Sequence, residues 1–127
     1  MKPVAIIGAG PAGIRAAQTL VAHGVYPVLL DEAARGGGQI YRRQPANFKR
    51  PPAKLYGFEA SKANAIHQTL DALREQLDYR PDTLVWNAEA GLLDTLHEGR
   101  TARLEYASVI VATGATDRIL PVPGWTL

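Results

Sequence analysis

Hydrophobic and polar positions change their period several times along the chain, and each change marks an element. Pro3 to Ile7 is an unbroken apolar, β-branched run, the pattern of a strand buried in a parallel sheet. From Pro11 to His23 the period becomes helical. Ala12, Ala16, Ala17, Leu20 and Val21 recur at helical spacing and Gly24 follows as a stop. Val25 to Leu30 is a second apolar run, broken only by Pro27. Residues 33–58 lose periodicity, and Pro45, Pro51 and Pro52 exclude a long helix there, leaving room for a short one around Gly38 to Arg43.

Helical spacing returns from Ser61 to Leu77. Ala63, Ile66, Leu70, Leu73 and Leu77 form one stripe, while Lys62, Asp71, Arg74, Glu75 and Asp78 lie off it, and Ser61 is the expected N-cap. Such a stripe covers a sheet and carries no chemistry. Thr83 to Asn87 reads as a third parallel strand. Leu92 to Glu105 alternates around the polar centre Glu98-Gly99-Arg100, as a hairpin or meander does. Val109 to Val111 reads as a fully buried strand ending in Ala112-Thr113-Gly114, and Pro121, Pro123 and Gly124 break the chain into an extended exit. The expected fold class is α/β: a parallel sheet with helices on both faces plus a small β-meander.

Between the first strand and first helix stands Gly8-Ala9-Gly10-Pro11-Ala12-Gly13, and Asp31 follows Gly8 by twenty-three positions. This is the G-x-G-x-x-G spacing with an acid at the end of the next strand. Gly8 permits the tight turn, Gly10 lets backbone approach a pyrophosphate, and Gly13 lets the helix lie close on the sheet. Phosphates then face unpaired N–H groups at the positive end of the helix dipole. Asp31 can accept from both ribose hydroxyls of an adenosine, with Glu32 the adjacent competitor. An acid here disfavours a 2′-phosphate. The competing reading is an ordinary strand–turn–helix with incidental glycines and a solvent-facing acid.

Composition narrows the choice. The chain has 127 residues, enough for one domain with its own core, with 46% hydrophobic and 20% charged residues. A net charge of +2 gives no reason to expect nucleic acid. The absence of Cys removes thiol nucleophiles, redox disulfides and Cys-ligated metal from this chain. The N-terminal apolar stretch is better explained as strand plus turn than as a signal peptide, and no run of eighteen apolar residues exists to span a membrane. A cytoplasmic location is the expectation. The segment 33–58 holds six Lys and Arg, with no acid between Glu32 and Glu59. It reads as a solvated loop, an attractor of phosphate, a contact for an acidic partner, or a wall of the substrate entrance. His23, His67 and His97 show no ligand spacing and no metal is expected. His23 suits a helix C-terminus, and the other two read as surface residues. Ser61 and Ser108 lack a nucleophile-elbow setting. No catalytic acid, base or nucleophile stands out. Tyr41 and Arg42 read equally as substrate-facing or as packing residues.

The G-x-G-x-x-G turn, Asp31 followed by Gly37-Gly38-Gln39, and Val109-Ile110-Val111-Ala112-Thr113-Gly114 together resemble the FAD-binding half of the two-dinucleotide-domain flavoproteins, the glutathione-reductase-like and thioredoxin-reductase-like group. Leu30-Asp31-Glu32, Gly37 to Arg42, Ala112 to Ala115 and Pro121 to Leu127 also resemble a narrower set of amine-oxidising flavoproteins. That set includes the A-type component of opine oxidase, the B-type component of hydrogen cyanide synthase, dye-linked proline dehydrogenase subunits and the sarcosine oxidase alpha chain. The resemblance implies an FAD-dependent oxidoreductase acting on a C–N bond of an amino acid or opine-like amine substrate. It implies partner subunits of a hetero-oligomer, with self-association as the alternative. It implies cofactor contacts from Gly8, Ala9, Gly10, Pro11, Ala12, Gly13, Asp31, Glu32, Gly37, Gly38, Gln39, Ala112, Thr113 and Gly114, with backbone from Ala88 or Glu89 near adenine. The stretch Gln39 to Arg43 lacks the Cys pair that disulfide reductases place there. By the resemblance, the α/β fold is Rossmann-like and incomplete at the C-terminus, and residues 1–127 are expected to be an N-terminal FAD-binding domain truncated before a second nucleotide-binding domain, which would hold any NAD(P). The rival functions are a pyridine-nucleotide-dependent reductase and a non-catalytic nucleotide-binding or assembly module.

Overall fold

The computed structural model describes residues 1–116 and 118–124. Trp125, Thr126 and Leu127, which close the segment that resembles the amine-oxidising flavoproteins, lie outside the described residues. Four parallel strands form the main sheet: β1 (Val4–Ile7), β2 (Val28–Leu30), β3 (Asp78–Arg80) and β7 (Ser108–Val111), in the order β3-β2-β1-β7. Ile6 pairs with Leu29 on one side and Ile110 on the other. Strand alternation therefore points these three to the same face.

That face is covered by α1 (Pro11–Ala22) and α3 (Ala60–Leu73), which also pack on each other. Their stripes supply Ile14, Ala17, Ala63, Ile66, Leu70 and Leu73 to a core that includes Ile6 and Leu29. The opposite face presents Ala5, Val28 and Leu30, and it is covered by Leu93, Val85, Leu104 and Tyr106. These come from an antiparallel meander of β4 (Thr83–Glu89), β5 (Leu92–His97) and β6 (Arg100–Glu105) and from the residue that follows it. The expected parallel sheet, helices and meander are all present, but the meander occupies the second face where more helix was expected. Its inward apolar residues cover that face as a helix stripe would.

Other expectations move for physical reasons. The third parallel strand is Asp78–Arg80, not Thr83–Asn87. Pro81 and Asp82, whose φ is 50°, turn the chain between them, and the next strand starts the meander. Helix α3 begins at Ala60, continuing from a 3-10 turn over Gly57–Glu59, so Ser61 lies inside its first turn and not at the cap. It ends at Leu73, with Leu77 buried beyond it. The prolines allow a five-residue helix, α2 (Pro52–Tyr56), with proline in its first turn, where the missing N–H costs no helical bond. Around Gly38 there is a hydrogen-bonded turn, with Tyr41 N–H donating to Gly37 O at 3.2 Å, in place of a helix. The second strand is confined to Val28–Leu30. Strand β7 is not fully buried: it is the sheet's edge, and Val111 is 68% exposed.

Candidate cofactor-binding site

The turn from β1 into α1 is shaped by what cannot fit there. At Gly8, φ is 109° and an added Cβ would stand 2.2 Å from Ala112 O. The Gly8 turn and the Ala112-Thr113 segment after β7 thus touch backbone to backbone, and Ala112 N–H donates to Ile7 O at 2.8 Å. At Gly13 an added Cβ would stand 1.7 Å from Gly8 O, so the first helical turn rests on the strand end. Gly10 and Gly38 face each other, an added Cβ at Gly38 lying 3.0 Å from Gly10 Cα. The Gly-Gly loop is tied to the same turn by Gly37 N–H, which donates to Ala9 O at 2.8 Å.

Gly10 is the N-cap of α1 with no side-chain cap, and Pro11 opens the helix. The N–H groups of Ala12 and Gly13 therefore have no partner inside the helix and the helix dipole's positive end stays uncapped. No acid lies in the first turn to compensate it. Asp31 sits opposite. Its Oδ2 accepts from Ala9 N–H at 2.5 Å and its Oδ1 from Ala33 N–H at 2.7 Å. A carboxylate offers about four lone-pair sites. Two are used to fix the group, and two remain for a ligand.

Asp31 forms part of the wall of an open cleft of about 160 Å³, together with Glu32, Gly8, Thr113 and the first residues of β4, Thr83, Leu84 and Val85. That volume falls below the roughly 300–1,000 Å³ of whole-ligand pockets and suits one nucleoside end of a long cofactor. Ala88 and Glu89 are not part of its wall. The contribution of β4 comes from its start; the break at Pro81-Asp82 is the signal that marks that start. Of the expected residues, Gly8, Asp31, Glu32 and Thr113 meet at this cleft, and Gly10, Pro11, Ala12, Gly13 and Gly38 gather at the neighbouring helix end. Ala9 and Gly37 are buried and hold the site from beneath. Gln39 and Gly114 are exposed flanks.

The histidines are separate from this chemistry. His23 caps α1, with Nδ1 2.8 Å from Thr19 O. His67 is partly buried, correcting its surface reading, with Nε2 2.6 Å from Tyr41 O. Tyr41 is itself buried in the helix-side core and its hydroxyl donates to Glu59 at 2.7 Å. Packing is therefore its role. Among the described residues, no cluster of potential ligands suits a metal ion and no helix is long and apolar enough to cross a membrane.

The profile of the pyridine nucleotide-disulphide oxidoreductases matches residues 2–126. The chain belongs to that family. Its relatives there are flavin-dependent oxidoreductases. This member is 39% identical over 134 aligned residues to the A-type component of opine oxidase from Rhizobium meliloti, a match covering 98% of the chain and 25% of that protein. It is 36% identical to "Hydrogen cyanide synthase subunit HcnB" of Pseudomonas aeruginosa, covering 100% of the chain and 27% of that protein. Both relatives are subunits of multi-subunit enzymes. The solved L-proline dehydrogenase of P. horikoshii has the same fold, with a TM-score of 0.71 at 24% identity over 94% of this chain and 24% of that one. The chain spans about a quarter of the length of the relatives it matches. The family's name includes disulfide chemistry, yet these 127 residues contain no Cys.

Proposed function

We propose that this chain is the FAD-binding portion of a flavoenzyme that oxidises a C–N bond of an amino acid or opine-like substrate, working with partner subunits. The observation that carries the cofactor assignment is Asp31. Its carboxylate is pinned by two backbone N–H groups at the rim of the nucleoside cleft, beside an uncapped helix N-terminus. In this reading Asp31, with Glu32 adjacent, holds the adenosine ribose, and Thr83 to Val85 form the wall along the nucleoside. The N–H groups of Ala12 and Gly13 hold the diphosphate, and Gly10 and Gly38 allow it to pass close to backbone. Thr113 and Gly114 lead toward the flavin end. Bound FAD would supply the two-electron acceptor that these side chains lack. The substrate class is supported by the similarity to opine oxidase and hydrogen cyanide synthase subunits.

Asp31→Asn keeps the shape of the side chain and removes its charge. Because charge-assisted bonds to the ribose are lost, FAD affinity of the full-length protein should fall about tenfold or more in a flavin-fluorescence titration. ADP should compete with FAD, and its 2′-phosphorylated form should compete poorly. Unchanged FAD affinity in the variant would overturn the ribose role.

A further inference from the structure

The basic segment 33–58 is not absorbed by the nucleoside site. It packs against α3 and borders a second, shallower cleft of about 370 Å³, which shares no wall residue with the first. From the segment come Arg35 and Arg43; from α3 come Asn64, His67, Gln68 and Asp71. The arginines differ. Arg43 forms a two-pronged pair with Asp71, at 3.2 and 2.7 Å, so its charge is answered. Arg35 Nη1 donates to the carbonyl of Gln44 at 2.6 Å, which aims the guanidinium but leaves its charge uncompensated. Among the described residues no carboxylate pairs with Arg35. Beside it, the side-chain amides of Asn64 and Gln68 on α3 supply further donors.

We propose that this cleft is a second binding site, for a small oxyanion, a carboxylate or phosphate, gripped by Arg35 with Asn64 and Gln68. A planar guanidinium donates two parallel bonds to such a group, and side-chain amides complete its shell. The Arg43–Asp71 pair walls the cleft without competing for the ligand. The site stands whether or not the flavin assignment does.

His67 provides an internal reporter. Burial holds its pKa below the ordinary value, and the charges of Arg43 and Arg35 push it further down, against the hydrogen bond to Tyr41 O and the charge of Asp71. Tyr56, from α2, also lines the cleft and is the remaining titratable group there. An anion beside Arg35 favours protonated His67. Succinate binding should therefore tighten as pH falls toward the lowered His67 value, whereas phosphate takes up a proton of its own near neutral pH and does not report it.

The test is calorimetric titration of the full-length protein with inorganic phosphate and with succinate at low salt. The expected result is a Kd of about 1 mM or tighter for at least one probe. The tighter probe identifies phosphate or carboxylate as the natural chemistry. Arg35→Ala should weaken binding about tenfold. Gln68→Glu, which keeps the helix and adds a charge on the cleft wall, should weaken it at least as much. Lys49→Ala removes an equal charge from the same segment outside the cleft and should change affinity less than about twofold. His67→Gln should flatten the pH dependence of succinate binding. Failure of both probes to bind below about 10 mM overturns the proposal. Equal losses in the Arg35 and Lys49 variants also overturn it, because they would show diffuse attraction.

Discussion

The two flanks of the cofactor turn are built by opposite means. On the β1–α1 side, geometry is set by atoms that are absent: Gly8, Gly13 and Gly10 leave room for backbone to meet backbone. On the side of residues 35–71, geometry is set by side chains that reach across. Tyr41 bonds Glu59, His67 bonds the Tyr41 carbonyl, Tyr56 bonds the Arg42 carbonyl, and Arg43 pairs with Asp71. The first kind of construction fails abruptly, because a Cβ cannot be compressed into a carbonyl. The second fails by degrees, since losing any one such bond leaves the others in place.

The sharpest way to break this contrast is Gly13→Ala. In most helices that change stabilises. Here the new Cβ would stand 1.7 Å from Gly8 O, a backbone atom with no rotamer to move into. The expected loss is about 3 kcal/mol or more, read as a drop in the denaturation midpoint. A neutral or stabilised Gly13→Ala variant would mean that helix and strand are not in contact here.

The side-chain flank should instead yield to acid. Bonds from Tyr41 and Lys62 hold the Glu59 carboxyl below its ordinary pKa, and Arg43 does the same for Asp71. With folded-state values depressed, both groups contribute stability that is complete above the usual carboxylate range. It is lost as pH falls through their lowered values, from about 4 downward. Glu59→Gln combined with Asp71→Asn should lower the urea midpoint at about pH 7 and make its fall between about pH 5 and pH 3 shallower than in the parent protein. Parallel pH curves for the two proteins would assign acid sensitivity to other groups.

The same difference explains what was legible in the sequence. Glycines at fixed spacing and the acid twenty-three positions on carry their geometric meaning locally, so the order of residues alone places Gly8, Gly13 and Asp31. The apolar runs and their periods likewise reveal β1, β2, α1 and the hairpin of β5 and β6. Strand β3 is hidden because it is three residues long and reads Asp-Tyr-Arg; it belongs to the sheet through its pairing with β2. Missing it shifts the label of third parallel strand onto β4, and with it the expected cleft residues from the start of β4, where Thr83 to Val85 line the cleft, to Ala88 and Glu89, which do not. The partners of Tyr41 and His67 are 18 and 26 residues away in sequence. No local pattern announces such a pair. The basic run is visible as charge, but its cleft depends on how α3 meets it.

Gly114 refines the comparison with the smallest effect on stability. Its φ is 70°, like the other turn glycines, yet an added Cβ meets nothing within 4 Å among the described residues. Collision with the described residues therefore does not explain this glycine; its backbone angle does, and so would a ligand passing beside it. Asn tolerates the left-handed region better than other side chains. Gly114→Asn should accordingly cost no more than about 1 kcal/mol in unfolding experiments. Gly114 lies one residue beyond Thr113, on the path assigned to the flavin end of the cofactor. If that path is right, the Asn side chain obstructs FAD, and the variant binds it more weakly while remaining as folded as the parent. Equal FAD affinity in the two proteins would leave Gly114 as a turn residue alone and place the flavin end elsewhere.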